Sequence, residues 1–330
     1  MNPKMRISVA MCTYNGEKYL DEQLQSIARQ TRLPHELVVC DDGSSDSTPK
    51  IIEEFSRSAP FPVRFIRNPE NLGSTKNFEK AIGLCVGDLI ALCDQDDIWM
   101  PEKLAYQVQM MESDSELGGV FSDAELVNDQ SRLLGTRLWD GFRFTPREQK
   151  RFRNGEEIPV LLRWNVVTGA TLIFRADLRQ KFAPIPTCWH QDGWITWMIV
   201  LYSKLRFIEE PLIHYRIHAN QQVGVEIGEL SRKLSRWQRL KRGKLEERAN
   251  QLSTAQEIIE LTRRLDDKKD PKGLKVIPAL RLKAQFLTDR GMPYKSKLFR
   301  IKTILRHTND YHRFDVGWKC LLRDIIISFV

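Results

Sequence analysis

Three carboxylates, Asp94, Asp96 and Asp97, follow the apolar run Leu89-Ile90-Ala91-Leu92-Cys93. Anions this close repel one another unless something positive lies between them. Alternate carboxylates at the end of a strand can turn toward one point and offer oxygen ligands to a hard divalent cation, Mg2+ or Mn2+. Such a cation neutralises a diphosphate and stabilises it as a leaving group. A second acidic pair, Asp41-Asp42, precedes Gly43-Ser44. Asp46 or Ser47 suffices to cap the helix that follows, which leaves Asp41 and Asp42 for another task. A carboxylate at the carboxyl rim of a sheet can accept the N3–H of uracil or thymine, or a ribose hydroxyl, and rejects purines without that donor.

These groups need a frame that brings strand ends together, and the first hundred residues supply one. Apolar runs at 6–12, 36–40, 63–66 and 89–93 alternate with stripes of helical period at 19–30, 47–55 and 77–84. Strand–helix alternation predicts a mostly parallel sheet covered by helices on both faces. Ligands of such sheets bind at the carboxyl ends of the strands. Thr13-Tyr14-Asn15, Asp41-Asp42 and Asp94–Asp97 all follow strands, so they are expected at one rim, with Asn68, Asn71, Gly73, Lys76 and Asn77 nearby. Further on, the pattern predicts a helix over 102–111, a strand over 119–121, a turn at 128–130 and a loop-rich stretch over 139–165. A strand over 168–174, a helix over 189–202 and extended chain over 205–218 complete this part.

The motifs CTYNGEKYLDEQLQSIARQT, ELVVCDDGSSDST, NLGSTKNFEKAI and LIALCDQDDIWMPEKL resemble those of family 2 glycosyltransferases, in order and at plausible spacing over about residues 5–220. The form DQDDIW with a later YRIHANQQVG is similar to the rhamnosyltransferase-like branch that builds bacterial surface polysaccharides. The resemblance implies a GT-A fold, the α/β fold of nucleotide-diphospho-sugar transferases, with a mostly parallel central sheet and here a C-terminal helical extension. It implies inverting transfer from a nucleotide sugar with Mg2+ or Mn2+ as cofactor. Tyr14 would stack near the base beside Thr13, with Asn15 and Glu17 in the same loop, and Asp42 would read the pyrimidine. Asp94 and Asp96 would touch ribose, diphosphate and metal, while Asp97 braces the turn. Lys76 stands where Arg is frequent and would approach a phosphate; Cys12 is a mild departure. In CWHQDGWITWM, Asp192 matches the general base that deprotonates the acceptor hydroxyl, with His190 as the alternative. Gly169, Thr171 and Trp194 are the expected acceptor side, whereas Trp197 is expected in the core. His218 is the expected third metal ligand, and Arg216 would contact the diphosphate.

Other classes lack their signatures. No GxGxxG follows the first strand and no GxxxxGK[ST] occurs. A DxDxT phosphatase would need its acids on the first strand. A nucleotidylyltransferase would carry a Gly- and Arg-rich loop where TYNGEK stands. The six cysteines are scattered, which favours reduced thiols. The net charge of +8 is uneven: residues 221–330 hold 25 Lys/Arg against 13 Asp/Glu, and seven Lys/Arg fall in 232–244 without an acid. Leu230, Leu234, Trp237 and Leu240 run as an apolar stripe among them. A catalytic domain over 1–225 and a basic helical extension over 226–330 are therefore expected. The extension, with its apolar ending at 325–330, would touch an anionic inner membrane surface. A nucleic-acid-binding protein would leave the acidic rim unexplained. No basic leader with an apolar core opens the sequence, so a cytoplasmic protein, peripheral on the inner membrane, is the expected location. Nucleotide-sugar donor and glycan or lipid-linked acceptor are the expected partners. The donor expected first is dTDP-L-rhamnose; a UDP-hexose or UDP-N-acetylhexosamine is the alternative.

Overall fold

Strands buried on both faces carry unbroken apolar runs rather than alternation, and three of the first four strands read that way. The computed structural model describes residues 4–218, 236–269, 271–292, 296–315 and 317–329, with side chains except those of 236–247, 297 and 326–329. Residues 219–224 of the YRIHANQQVG motif, the whole basic stretch at 232–244 with its apolar stripe, and the last five residues therefore lie outside the described side chains.

The chain begins β1 (Ile7–Thr13), α1 (Leu20–Ala28), β2 (Glu36–Asp41), α2 (Thr48–Ser56), β3 (Val63–Arg67), α3 (Ser74–Leu84), β4 (Leu89–Cys93) and β5 (Ile98–Trp99). There follow α4 (Lys103–Ser113), β6 (Leu117–Val127), β7 (Leu133–Arg137), α5 (Leu138–Phe142), α6 (Pro146–Arg153) and α7 (Glu157–Leu161). Then come β8 (Ile173–Arg175), α8 (Arg179–Phe182), α9 (Gln191–Tyr202) and β9 (Lys204–Arg216). The sheet order is β3-β2-β1-β4-β8-β6-β9-β5, with β7 on β6. Pairing is parallel from β3 through β4. It turns antiparallel where β8 joins β4 and β6, and parallel again between β6 and β9. Strand order reverses between β1 and β4, so the crevice at their carboxyl ends is the switch point where such sheets bind ligands. Thr13 and Asp94 flank it.

The stretch expected to be loop-rich holds three short helices instead. Thr145 caps α6 by accepting the Glu148 N–H, with Pro146 at the first helical position. Helices of five to eight residues are too short for a hydrophobic period to show. The first two of them close an aromatic cluster in which the Phe121 ring centroid lies within 6 Å of those of Trp139, Phe144, Phe152 and Phe207. The strand expected over 168–174 is shorter too: Gly169–Thr171 is a 3-10 turn and only Ile173–Arg175 joins the sheet. The Gly169 N–H goes to Asp192 and the Thr171 hydroxyl, locally, to the Thr168 carbonyl, bonds made in place of a ladder.

Asp123, beside this cluster, accepts the N–H groups of Ala124 and Trp139, yet burial pushes its carboxyl up to about 6. An unfolded carboxyl titrates near ~4, so the folded chain binds this proton more tightly and gains stability as pH falls through that window. Asp123→Asn keeps one acceptor oxygen without the charge. Urea denaturation should find it more stable than the native chain at pH 7.5, with the difference closing by pH ~4.5.

Contacts divide the chain into two compact units, Met1–Glu157 with Asn165–Val225, and Ile158–Trp164 with Glu226–Val330. In the second, α10 (Arg236–Lys268) packs on α11 (Pro271–Gly291), followed by α12 (Lys297–Arg306), α13 (Thr308–Phe314) and α14 (Trp318–Phe329). Ala255, Ile258, Leu261 and Leu265 recur at helical spacing and are buried, as are Ile277, Leu280, Ala284 and Leu287. Arg290 joins α11 to α14 through Asp324 (2.8 Å) and bonds Asp315 (2.8 Å); Tyr311 donates to the same Asp324. Among the described residues no helix is long and apolar enough to cross a membrane.

Candidate active site

The loops after β1, β2 and β4 are stitched side by side. Thr13 Oγ1 donates to Asp41 Oδ1 (2.9 Å), and Asp41 also accepts the backbone N–H of Ser44. The turn needs Gly43, whose φ of 85° lies in the left-handed region. Asn15 accepts the Ser45 N–H and Glu17 accepts the Ser47 N–H, so both loop-one polar groups hold the start of α2. Gln95 grips the Tyr14 backbone from both sides, accepting its N–H (2.8 Å) and donating to its carbonyl (3.1 Å). Gly16 lets Gln95 come so close: a Cβ there would stand 2.3 Å from Gln95 Oε1. Sequence reasoning passed over Gln95 as the middle of D-x-D. Between these clamps the Tyr14 side chain is left 48% exposed at the rim.

Asp42 is buried and accepts from Asn68 Nδ2, Leu72 N and Gly73 N at 2.8–2.9 Å. A carboxylate has about four acceptor positions, so one remains. The Lys76 ammonium bonds Glu79 (2.6 Å) and the Ile185 carbonyl (2.7 Å), leaving one of its three protons.

The acids after β4 and at the start of α9 share one field. Burial first, then the Asp96 and Asp192 carboxylates, push Asp94 up to about 8. Burial with Asp96 and Asp94 pushes Asp97 up. Burial and all four carboxylates, Asp97, Asp94, Asp96 and Asp192, raise the Tyr215 phenol. Asp192 accepts the N–H groups of Gly193 (2.6 Å) and, from across the crevice, Gly169 (3.3 Å). Burial raises it, while those N–H groups and His190 oppose the rise. His218 Nε2 lies 2.8 Å from Asp96 Oδ2, its ring stacked obliquely on Tyr19 at 4.8 Å. Asp97 Oδ1 accepts the Arg216 backbone N–H (3.0 Å), which fixes the acidic turn to β9.

This donor set fits a hard divalent cation: acidic oxygens gathered after β4, where burial and neighbouring charge push Asp94 up, with the His218 imidazole beside Asp96. Among the described residues no three His, Cys, Asp or Glu enclose a metal position by themselves. Mg2+ is commonly held by one or two carboxylates together with a substrate's phosphates.

Three expected contacts are corrected. Arg216 does not face the crevice: it is 1% exposed, and its guanidinium bonds the Asp96 carbonyl, Ser131 and Glu22 and lies 4.6 Å from the Tyr19 ring centroid. It braces the acidic turn from behind. Trp194 is fully buried against Trp189 and donates its indole N–H to the Phe182 carbonyl, so it cannot touch an acceptor. Thr171 is buried with its hydroxyl on the Thr168 carbonyl. Trp197 is buried, as its helical spacing predicts. Of the acceptor-side trio only Gly169 adjoins Asp192.

The chain is similar to known proteins. A family model described as Glycosyl transferase family 2 matches residues 8–168. An uncharacterized glycosyltransferase of Nostoc sp. is 27% identical over 221 residues, covering 65% of this chain and 65% of its own length. An Escherichia coli protein, UDP-Glc:alpha-D-GlcNAc-diphosphoundecaprenol beta-1,3-glucosyltransferase WfgD, is 33% identical over 125 residues, 38% of this chain and 48% of its own. The match thus spans less than two thirds of these relatives. Among solved structures, the mannosyltransferase PcManGT of Pyrobaculum calidifontis, in complex with GDP-Man and Mn2+, superposes with a TM-score of 0.55 at 17% identity. That superposition covers 99% of this chain and 87% of the other. S. aureus TarS in complex with UDP-GlcNAc gives 0.54 at 17% identity over 98% and 89%. At such identities the likeness is one of fold, the GT-A fold. With four motifs in order, a matching family model and that fold, residues 8–168 form a domain of the Glycosyl transferase family 2 type.

Proposed function

We propose that the chain moves a sugar from a pyrimidine-nucleotide donor, with inversion, to a glycan or lipid-linked glycan acceptor of bacterial surface polysaccharide such as O-antigen, capsule or exopolysaccharide. The observation that carries the reading is the field shared by Asp94, Asp96 and Asp192 at the β1/β4 switch point. It sets a proton-accepting carboxylate beside two cation-binding ones. Tyr14 offers its exposed ring to the base and Asp42 its remaining acceptor position to N3–H. Asp94 and Asp96, with His218, would hold Mg2+ or Mn2+. The ion supplies positive charge that stabilises the departing diphosphate. Asp192 takes the proton of the acceptor hydroxyl as that oxygen bonds the anomeric carbon, and the bond from that carbon to the diphosphate breaks on the opposite face. The nucleoside diphosphate leaves with the bonding electrons. Residues 1–225 would carry this chemistry and 226–330 a peripheral contact with the cytoplasmic face of an anionic membrane.

Neither Asp42 nor Tyr14 distinguishes uracil from thymine. The UDP-glucose in the name of the Escherichia coli relative favours a UDP-hexose, and dTDP-L-rhamnose is the other arm. Purified protein incubated with a panel of both donor classes and GDP sugars, with and without EDTA, tests this by release of nucleoside diphosphate. The expected result is EDTA-sensitive release of UDP or dTDP; release of GDP alone would refute the pyrimidine assignment. Asp96→Asn should raise the Mn2+ concentration for half-maximal UDP binding about 10²-fold, a loss at the upper end of what disturbed metal coordination costs. Titration calorimetry reads it.

A further inference from the structure

The helical unit carries two solvent-facing stripes of unusual composition. On α12, Leu298, Phe299, Lys302, Leu305 and Arg306 are all exposed, Leu298 at 81%. At 3.6 residues per turn they fall within an arc of about 120°. Ile304 is buried on the opposite side with Arg300. On α14, which packs on α12, the exposed positions among the described side chains are Trp318, Lys319, Leu322 and Arg323, again one arc. Residues 297–306 contain no acid, and the acid of α14, Asp324, is buried on Arg290 and Tyr311. Arg323 also lies 3.5 Å from Asp324, whereas on the outer face of α10 Arg263 is paired with both Glu260 and Asp267.

We infer that α12 and α14 form the surface by which this protein rests on an anionic lipid bilayer. Large apolar side chains that water leaves uncovered mark an interaction surface. Here they alternate with cations, and Trp, Phe and Leu beside Lys and Arg is the composition of helices that lie in the headgroup region. The charge decides the occupant: a stripe with Lys302, Arg306, Lys319 and Arg323 and no exposed acid complements phosphatidylglycerol, not a zwitterionic surface. The inference specifies the peripheral contact proposed above. It narrows that contact from the whole of residues 226–330 to two helices whose apolar side chains stand in water.

The test uses the full chain and no donor or acceptor, so its outcome is independent of the transfer reading. Sedimentation with vesicles of 30% phosphatidylglycerol in phosphatidylcholine should retain the protein, and pure phosphatidylcholine should not. Leu298→Ser with Phe299→Ser and Leu305→Ser, and separately Lys302→Glu with Arg306→Glu, should each lower the partition about tenfold or more. All five positions are exposed, so circular dichroism should show unchanged melting. Unchanged partition in both variants, or loss only when the 232–244 cations are reversed, would overturn the inference. So would a native chain that is dimeric in light scattering and made monomeric by these same substitutions, since the face would then belong to a second copy.

Discussion

Replacing Asp192 by Asn is expected to lower kcat about 10³-fold while the affinity for nucleoside diphosphate stays within twofold. A positioned general base contributes roughly 10²–10⁴ in rate, and an amide cannot take the acceptor's proton. The substitution is nearly isosteric and keeps one oxygen for the Gly193 N–H, so α9 should start as before. The wild-type acid limb reflects a carboxyl that burial raises and the neighbouring N–H groups and His190 restrain. That limb should vanish from the residual activity. His190→Ala provides the contrast, because His190 is the residue preceding α9 and its side chain makes no capping bond. It should retain activity within about tenfold, since it stands only as an electrostatic neighbour of the base. If Asp192→Asn keeps more than a tenth of the turnover, or if His190→Ala proves the more damaging change, the base is misassigned.

Phe121→Ala should cost about 4 kcal/mol of stability, the middle of the range for truncating a buried aromatic. Phe121 has no accessible surface and meets four aromatic rings at centroid separations of 5.7–5.9 Å. Those rings come from α5, α6, β9 and the link between the first two, so the cavity cannot be closed by moving one element. Urea unfolding followed by tryptophan fluorescence should report it, because Trp139 is one of the four. Leu133→Ala, on an exposed strand, should change stability by less than about 0.5 kcal/mol. A Phe121→Ala loss below about 1 kcal/mol would mean that the cluster repacks.

The parallel half of the sheet was legible because three of its four strands, β1, β2 and β4, are buried on both faces and read as apolar runs at regular spacing. The convergence of Thr13, Asp42 and Asp94 followed from the rule that strand ends meet. What the pattern could not give is direction within a turn. Arg216 and His218 lie two residues apart, yet one is drawn inward by Glu22, Ser131 and the Asp96 carbonyl and the other meets the Asp96 carboxylate. Both partners of that choice are distant in sequence. Trp194 and Asp192 are likewise two apart on α9, so they sit on different sides of the helix, and only one side borders the crevice. Helices α5 to α7 were unreadable for a different reason, since they are shorter than the window in which a period can be recognised.

The hold of Gln95 on both polar groups of the Tyr14 backbone makes the base-facing loop and the acidic turn one mechanical module. Under the proposed roles, selectivity for the nucleobase and affinity for the cation are then not separate adjustments. Any exchange of donor preference, by drift or by engineering, has to carry residues 13–17 and 94–97 across together. A graft of either loop alone would arrive without the contact that sets its height above the sheet.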